Sequence, residues 1–454
     1  MNYNTTIRCW CLQTLLIMLM LPPTIAQNAG GNQGQNNQFP GGILINPDGL
    51  ISSAAGQRIN PALEQKRLKA LAGRTLPSEL ATASELRKVS LNRLEQSCES
   101  ALAEGREFSD AHRYLAGITQ IHYVFAMPES EDVVIAGPAE GFAADRSGRV
   151  IGIETGRPVL TLQDLLTVLR IQRPHTALGC SFDPDPDRLA SAQAWNKANS
   201  APASTAVARQ RFFQMAQVLG NWNVTIFGLP ESGHAAITAV EADFTMKRIA
   251  LGLDRPAVRG FLSHLEMARP GENTMRRWWF APRYEVLERS TDGLAWRLAG
   301  PRLQLLSQEE LVDVQGIRSD APFKEVSAER YTKQFNRHMD ALCAQFACFA
   351  GIQNLFDLSV VSALIRSERL AEQAGWVPGL FLDDERLPLN EFPVPREVPS
   401  LVNVKMSGRS LMIGLIGGGV TIVPEQVIGR TVELKPEQQP TIVAPAVRTT
   451  WWWD

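Results

Sequence analysis

The first sixty residues withdraw themselves from any core, and so set which part of the chain has to fold. Arg8 precedes a largely apolar run of thirteen residues, Cys9 to Leu21, followed by Pro22-Pro23 and the small-residue site Thr24-Ile25-Ala26. This pattern predicts a secretory signal peptide over residues 1–26, cleaved after Ala26. The run is shorter than the ~20 residues a membrane span needs, and no Cys follows it to carry a lipid. Residues 27–60 hold 18 Gly, Asn and Gln in 34 positions, with charge only at Asp48 and Arg58. Such a segment buries too little apolar surface to offset its ordering entropy, and reads as a tether. Its one candidate strand is Ile43-Leu44-Ile45, before a Pro47-Asp48-Gly49 turn.

Composition then narrows the partners. A hydrophobic fraction of 44% and a charged fraction of 20% describe a globular chain with a real core. Removing Arg8 leaves 44 basic against 47 acidic residues, a net charge of −3 for the mature form. No Lys/Arg run is present, so nucleic acid and anionic membrane surfaces are not the expected partners. The mature protein is expected to be periplasmic or extracellular, with no membrane span. Cys98, Cys180, Cys343 and Cys348 remain after cleavage, with three pairings open to them. Cys98 shares the helical stripe Leu91, Leu94, Leu102, which predicts a buried thiol. On an unbroken helix Cys343 and Cys348 would lie ~8.6 Å apart, beyond the ~7 Å a disulfide bridges.

The folded part reads as α+β: a helical entry and mixed α/β domain over 61–256, then a second α+β domain over 257–424. Residues 61–104 look helical. His122–Met127, Asp132–Ala136 and Arg149–Glu154 look like a three-stranded meander, and Thr161 with Asp164 like a capping box for a Leu-rich helix. A strand at 177–182, helices over 187–219, a strand at 224–228 and a helix at 234–249 follow. Beyond Pro256, strands at 277–288, 294–298 and 302–306 surround helices at 323–340 and 346–374. The second helix is apolar nearly all round, as a buried central helix would be. Strands at 401–406, 411–416 and 420–423 close the domain, and 425–454 reads as an extended tail.

Six segments together resemble one family: YVFAMPESEDVVIAGPAEGF at 123–142, GIETGRPVLTLQDLL at 152–166, EADFTMKRIALGL at 241–253, RRWWFAPRYEVL at 276–287, IQNLFDLSVVSALI at 352–365 and IGGGVTIVP at 416–424. They are similar to an uncharacterised family of exported bacterial proteins, domain of unknown function 1598. The resemblance spans roughly 121–424 and implies export and a shared fold. It carries no activity and no functional residues.

The chemistry-bearing candidates are few. Asp183-Pro184-Asp185-Pro186-Asp187 has alternating carboxylates, but Arg188 and Ala194 stand where a calcium loop needs Gly and Glu, so it reads as a helix cap. His234 with Glu241 or Asp243 is the one hydrolase-like set, a His oriented by a carboxylate. A helix-terminal His and an ordinary ion pair between Asp243 and Lys247, four apart, explain the same letters and are the favoured reading. Gly414 and Gly417-Gly418-Gly419 lack the Lys of a phosphate loop and read as tight turns between strands. Trp278 and Trp279 should point to opposite faces of a strand, with Trp296 across from them: one packs in the core, and the other is a binding candidate, a stacking platform for a sugar. Trp451-Trp452-Trp453-Asp454 should either fold back into a groove of the chain or insert into a partner. No metal or cofactor motif is present. The favoured function is an exported, non-enzymatic binding or structural protein of the cell envelope. The alternative is a hydrolase built on His234.

Overall fold

The computed structural model describes residues 43–45, 51–53, 61–433 apart from 172, 202, 271, 273–274, 308–309, 313–317, 321–325 and 408–409, and 452–454. The expected leader and most of the tether lie outside these residues. Ile43–Ile45 is a strand, paired with Ile51–Ser53.

The fold is α+β, built on two large sheets sharing one core. The larger sheet runs Arg302–Ser307, Met275–Arg283, Ser410–Ile422, Leu178–Pro184, Asn221–Phe227, Glu397–Pro399, with Val402–Ser407 also paired to Ser410–Ile422. The smaller runs Thr431–Glu433, Leu287–Arg289, Ala295–Arg297, Tyr123–Met127, Asp132–Ala139, Ser84–Ser90. Ala347–Ser367 packs on Arg302–Ser307 of the larger sheet, on His234–Ala250 and on Leu162–Leu169. It is long and apolar enough to cross a membrane, yet 94% of its most apolar window is buried inside the protein. It is the central buried helix that the all-round apolar pattern predicts.

The boundary expected at residue 256 does not separate two sheets. Tyr123–Met127 pairs with Ala295–Arg297, and Leu178–Pro184 with Ser410–Ile422, so both sheets draw strands from both sides of it. Sequence-local turn signals cannot report such long-range pairing. The meander is also corrected. Tyr123–Met127 and Asp132–Ala139 do pair, but Val150–Gly152 joins Phe142–Ala144 in a hairpin of its own. The third strand beside Asp132–Ala139 is Ser84–Ser90, within a stretch that reads as helical. Its buried arginine, Arg87, 3% exposed, donates to the Ala116, Glu79 and Thr82 carbonyls instead of facing water. Ser90 ends the strand and caps Leu91–Ala103, accepting from the Arg93 N–H. Leu91, Leu94 and Cys98 on that helix are fully buried, while Leu102 turns outward.

The three closing strands are two. Val402–Ser407 forms a hairpin with the first half of Ser410–Ile422, whose second half runs between Met275–Arg283 (parallel) and Leu178–Pro184 (antiparallel). The glycines are therefore strand residues, not turns. A Cβ on Gly418 would sit 1.8 Å from the Trp278 carbonyl oxygen, and one on Gly419 2.1 Å from that of Cys180. Close backbone approach on both sides of a central strand is what requires glycine here. Within the tail region, Pro424–Ile428 is a single helical turn.

Cys98, Cys180, Cys343 and Cys348, the four cysteines among the described residues, are free and buried. Cys343 and Cys348 lie on separate helices, broken at Phe346 (φ −121°, ψ 91°). Burial pushes the Cys98 and Cys343 thiols up to about 12 and raises Cys180 and Cys348 as well. The thiolate is the reactive form. All four should therefore resist a thiol reagent in the native chain and react after unfolding, read residue by residue by mass spectrometry. Native labelling of any one at its unfolded rate would contradict this burial.

Candidate functional site

His234 opens the helix His234–Ala250. Neither carboxylate expected to orient it does so. Its Nδ1 lies 2.8 and 3.1 Å from the two carboxylate oxygens of Asp164. Asp164 begins Leu162–Leu169, where its N–H donates to Thr161 Oγ1 as the capping pattern predicts. Its side chain turns to His234 rather than back to the cap. Burial disfavours the charged ring, but the Asp164 carboxylate outweighs this and holds His234 above its ordinary value. Glu241 is taken by a close ion pair with Arg149. The His234 side chain keeps 30% of its accessibility, with the Phe392 ring edge-on at 5.2 Å.

A group whose folded pKa is raised contributes stability below its unfolded value, and loses that contribution as pH rises through the folded one. Asp164→Asn should therefore cost about 1 kcal/mol near pH 5.5, and less near pH 8.5, for a pair that solvent still partly screens. Denaturant melts at the two pH values check this; equal costs would remove the charged pair from the account.

Asp243 points away from His234 into the core. Lys247 Nζ lies 2.5 Å from Asp243 Oδ2, with the two side chains 3% and 0% exposed. The ammonium also sits 3.7 Å from the centre of the Phe182 ring, a cation–π contact. Burial pushes the Asp243 carboxyl up and the Lys247 ammonium down, each opposed by the other's charge. The acidic run nearby divides its labour. Asp183 pairs with Arg277 at 2.8 Å, and Asp185 caps Pro186–Ala198 by accepting from the Asp187 and Arg188 N–H groups. Asp185→Ala should cost about 1 kcal/mol, and added calcium should not shift the melting temperature of the parent; a calcium-dependent rise would restore the metal reading.

One continuous run of elements thus holds His234, the acidic cap and the buried Asp243–Lys247 pair: Leu178–Pro184, Pro186–Ala198, Thr205–Leu219, Asn221–Phe227 and His234–Ala250. Residues 180–263 match the family model of a protein of unknown function (DUF1598). No curated protein matches the chain, and no solved structure does. The DUF1598 stretch lies within the 121–424 span of the sequence resemblance. It contributes two neighbouring strands and a covering helix to the larger sheet.

Beside the DUF1598 stretch, Trp278 and Trp279 alternate as a strand requires. Trp278 is fully buried and stacks on Tyr331 (4.6 Å, 16°), whereas Trp279 is half-buried beside the Arg277 guanidinium at 5.3 Å. Trp296 is not their neighbour. It lies in the other sheet, opposite Val124 and Arg289. Trp278 is therefore a packing residue and not a platform.

The aromatic tail shows the least ordinary geometry. Trp451 lies outside the described residues. Trp452–Asp454 docks on the outer edge of Ser84–Ser90. Ser90 N–H donates to the Trp452 carbonyl (2.8 Å), Asp454 N–H donates to the Lys88 carbonyl (3.2 Å), and Val89 bridges Trp453 antiparallel. Trp452 is 8% exposed and stacks on His112 (4.9 Å, 28°). The Arg87 guanidinium lies 5.1 Å from the Trp453 ring centre. Asp454 accepts from Lys88 Nζ (2.7 Å) and from the Lys88 N–H (2.8 Å). Of the two fates open to the tail, the chain adopts the intramolecular one. Sequence reasoning could name these tryptophans but not His112, Arg87 and Lys88, which no local pattern connects to them.

Proposed function

We propose that this is an exported, non-enzymatic binding protein of the cell envelope, whose contact element is the sheet edge Ser84–Ser90. The observation that carries the reading is the capture of Trp452–Asp454 on that edge through one antiparallel β-bridge, two main-chain hydrogen bonds and the Lys88–Asp454 ion pair. An open edge is a template for another strand, and strand addition is a recurring way to bind an extended segment. Supporting it, Glu241 and Asp243 are each held by a basic partner instead of serving His234. Export rests on the leader pattern of residues 1–26.

The test is to express the tagged chain in a bacterial host with a photo-crosslinking residue at Glu85, on the edge strand. The reading expects a mature form outside the cytoplasm, with its N-terminus near Gln27. It also expects crosslinks to an envelope protein that increase when residues 452–454 are deleted. Retention in the cytoplasm with an intact leader would overturn it.

The hydrolase alternative keeps one observation, the Asp164–His234 contact at Nδ1. It requires a serine- or cysteine-directed active-site probe to label the native chain and to lose that label in His234→Ala. No labelling would end it.

A further inference from the structure

The geometry points to a recognition site, at the edge Ser84–Ser90, for an extended segment that presents two adjacent aromatic side chains followed by a carboxylate. This rests on the binding reading above, and treats Trp452–Asp454 as the resident occupant that defines the chemistry.

His112 and Arg87 are anchored by the body of the protein, while the Lys88 ammonium meets the tail's own carboxylate. His112 is fixed between two hydroxyls, with Ser97 Oγ 2.8 Å from Nε2 and Ser109 Oγ 2.6 Å from Nδ1, so its ring stands ready for a flat aromatic partner. Arg87 is held by the Ala116 (2.8 Å), Glu79 (3.0 Å) and Thr82 (3.0 Å) carbonyls, and its Nε reaches the Asp454 carbonyl at 3.2 Å. Its guanidinium, anchored in this way, offers a cation to the second aromatic ring. Lys88 supplies both a main-chain N–H and an ammonium to one carboxylate. Main-chain bonds at Lys88 and Ser90 give affinity without regard to sequence. The His112 stack, the Arg87 cation and the Lys88 pair give the order aromatic, aromatic, acid.

A preformed receptor filled by a tethered segment is also a regulated one. Eighteen residues separate Glu433 from Trp452, an extended reach of at most ~60–65 Å. A tether of that order raises the tail to roughly millimolar effective concentration. An outside segment therefore competes only when it binds more tightly than the tail or when the tail is weakened.

The experiment uses the full chain carrying Trp452→Ala and Asp454→Lys, and a blocked peptide, acetyl-Arg-Thr-Thr-Trp-Trp-Trp-Asp-amide, titrated by fluorescence anisotropy. The peptide should bind the variant at least about tenfold more tightly than the parent, as release of an intramolecular competitor requires. A peptide ending in Lys should bind about tenfold more weakly, and adding Lys88→Glu to the variant should reverse that preference. If the double variant does not melt cooperatively, Asp454→Lys alone takes its place. Absence of binding up to about 1 mM by a folded variant, or equal affinity for both peptides, overturns the proposal. So does concentration-dependent dimerisation of the parent through exchanged tails without peptide binding, which would assign the edge to a second copy. Because the experiment is done on purified protein, its failure is separable from a failure of export.

Discussion

Lys247→Ala should destabilise the chain by about 3–5 kcal/mol at neutral pH, the cost of leaving a buried charge without its partner. Asp243 has no accessible surface, and among the described residues its carboxyl meets no donor other than the Lys247 ammonium. Removing Lys247 also takes away the cation from the Phe182 ring. The pH dependence has a definite sign. Burial already raises Asp243 above the usual carboxylate range; without Lys247 it rises further, so the buried group stays protonated. An unfolded Asp ionises near 3.9. In the parent, burial raises the carboxyl to about 6, so the penalty relative to the parent grows as pH rises above that value and is smallest in acid. Asp243→Leu combined with Lys247→Met should recover much of the loss, since an apolar pair of similar volume needs no compensating charge. Urea melts of the three proteins at pH 5 and 8 decide the matter. A loss under 1 kcal/mol in Lys247→Ala at pH 8 would mean that water reaches Asp243 and that the pair is not a core element.

Asp357→Ala should be as damaging, by about 3–5 kcal/mol, for a different reason. Asp357 lies on the central helix and accepts from Arg302 Nε (3.0 Å), Tyr284 Oη (2.8 Å) and the Ile121 N–H (3.3 Å). Arg302, 2% exposed, uses its remaining donors on the Ile121, Leu298 and Gly300 carbonyls. One carboxylate thus ties the buried helix to the segment entering Tyr123–Met127 and to the loops flanking Arg302–Ser307. Its removal leaves a guanidinium uncompensated and frees a buried hydroxyl and a buried N–H together. Asp357→Asn keeps an acceptor but loses the charge, and should fall between the parent and the alanine variant. Chemical denaturation orders the three; an asparagine variant as stable as the parent would show that the charge contributes nothing.

How much of this was legible in the sequence depended on whether a local signal existed. The acidic cap at Asp185, the Thr161 cap, the buried stripe through Cys98, the opposed faces of Trp278 and Trp279, and the buried helix through Leu355 and Val361 all follow from spacing within a turn or a strand. The failures are all long-range. Ser84–Ser90 reads as helix because its buried arginine finds carbonyl partners that only the fold supplies. Gly417–Gly419 read as turns because close approach by Trp278 and Cys180 backbone leaves no mark near them. His234 could be linked to carboxylates on its own helix, whereas its actual partner, Asp164, is seventy residues earlier. The tail is the extreme case: Trp452–Asp454 was visible as an anomaly, while its receptor lies 340 or more residues away. Local propensity describes elements; pairing between distant elements decided both the site and the single shared core.

The docked tail is the centre of this account, and amide hydrogen exchange at the edge strand tests it most directly. N–H groups alternate in direction along a strand. Those of Lys88 and Ser90 face Trp452–Asp454, whereas those of Arg87 and Val89 face the neighbouring strand Asp132–Ala139. Deleting residues 452–454 should therefore speed exchange at Lys88 and Ser90 by at least about tenfold, the loss of one ordinary hydrogen bond each, and leave Arg87 and Val89 within error of the parent. Unchanged protection at Lys88 and Ser90, or equal loss at all four positions, would contradict it.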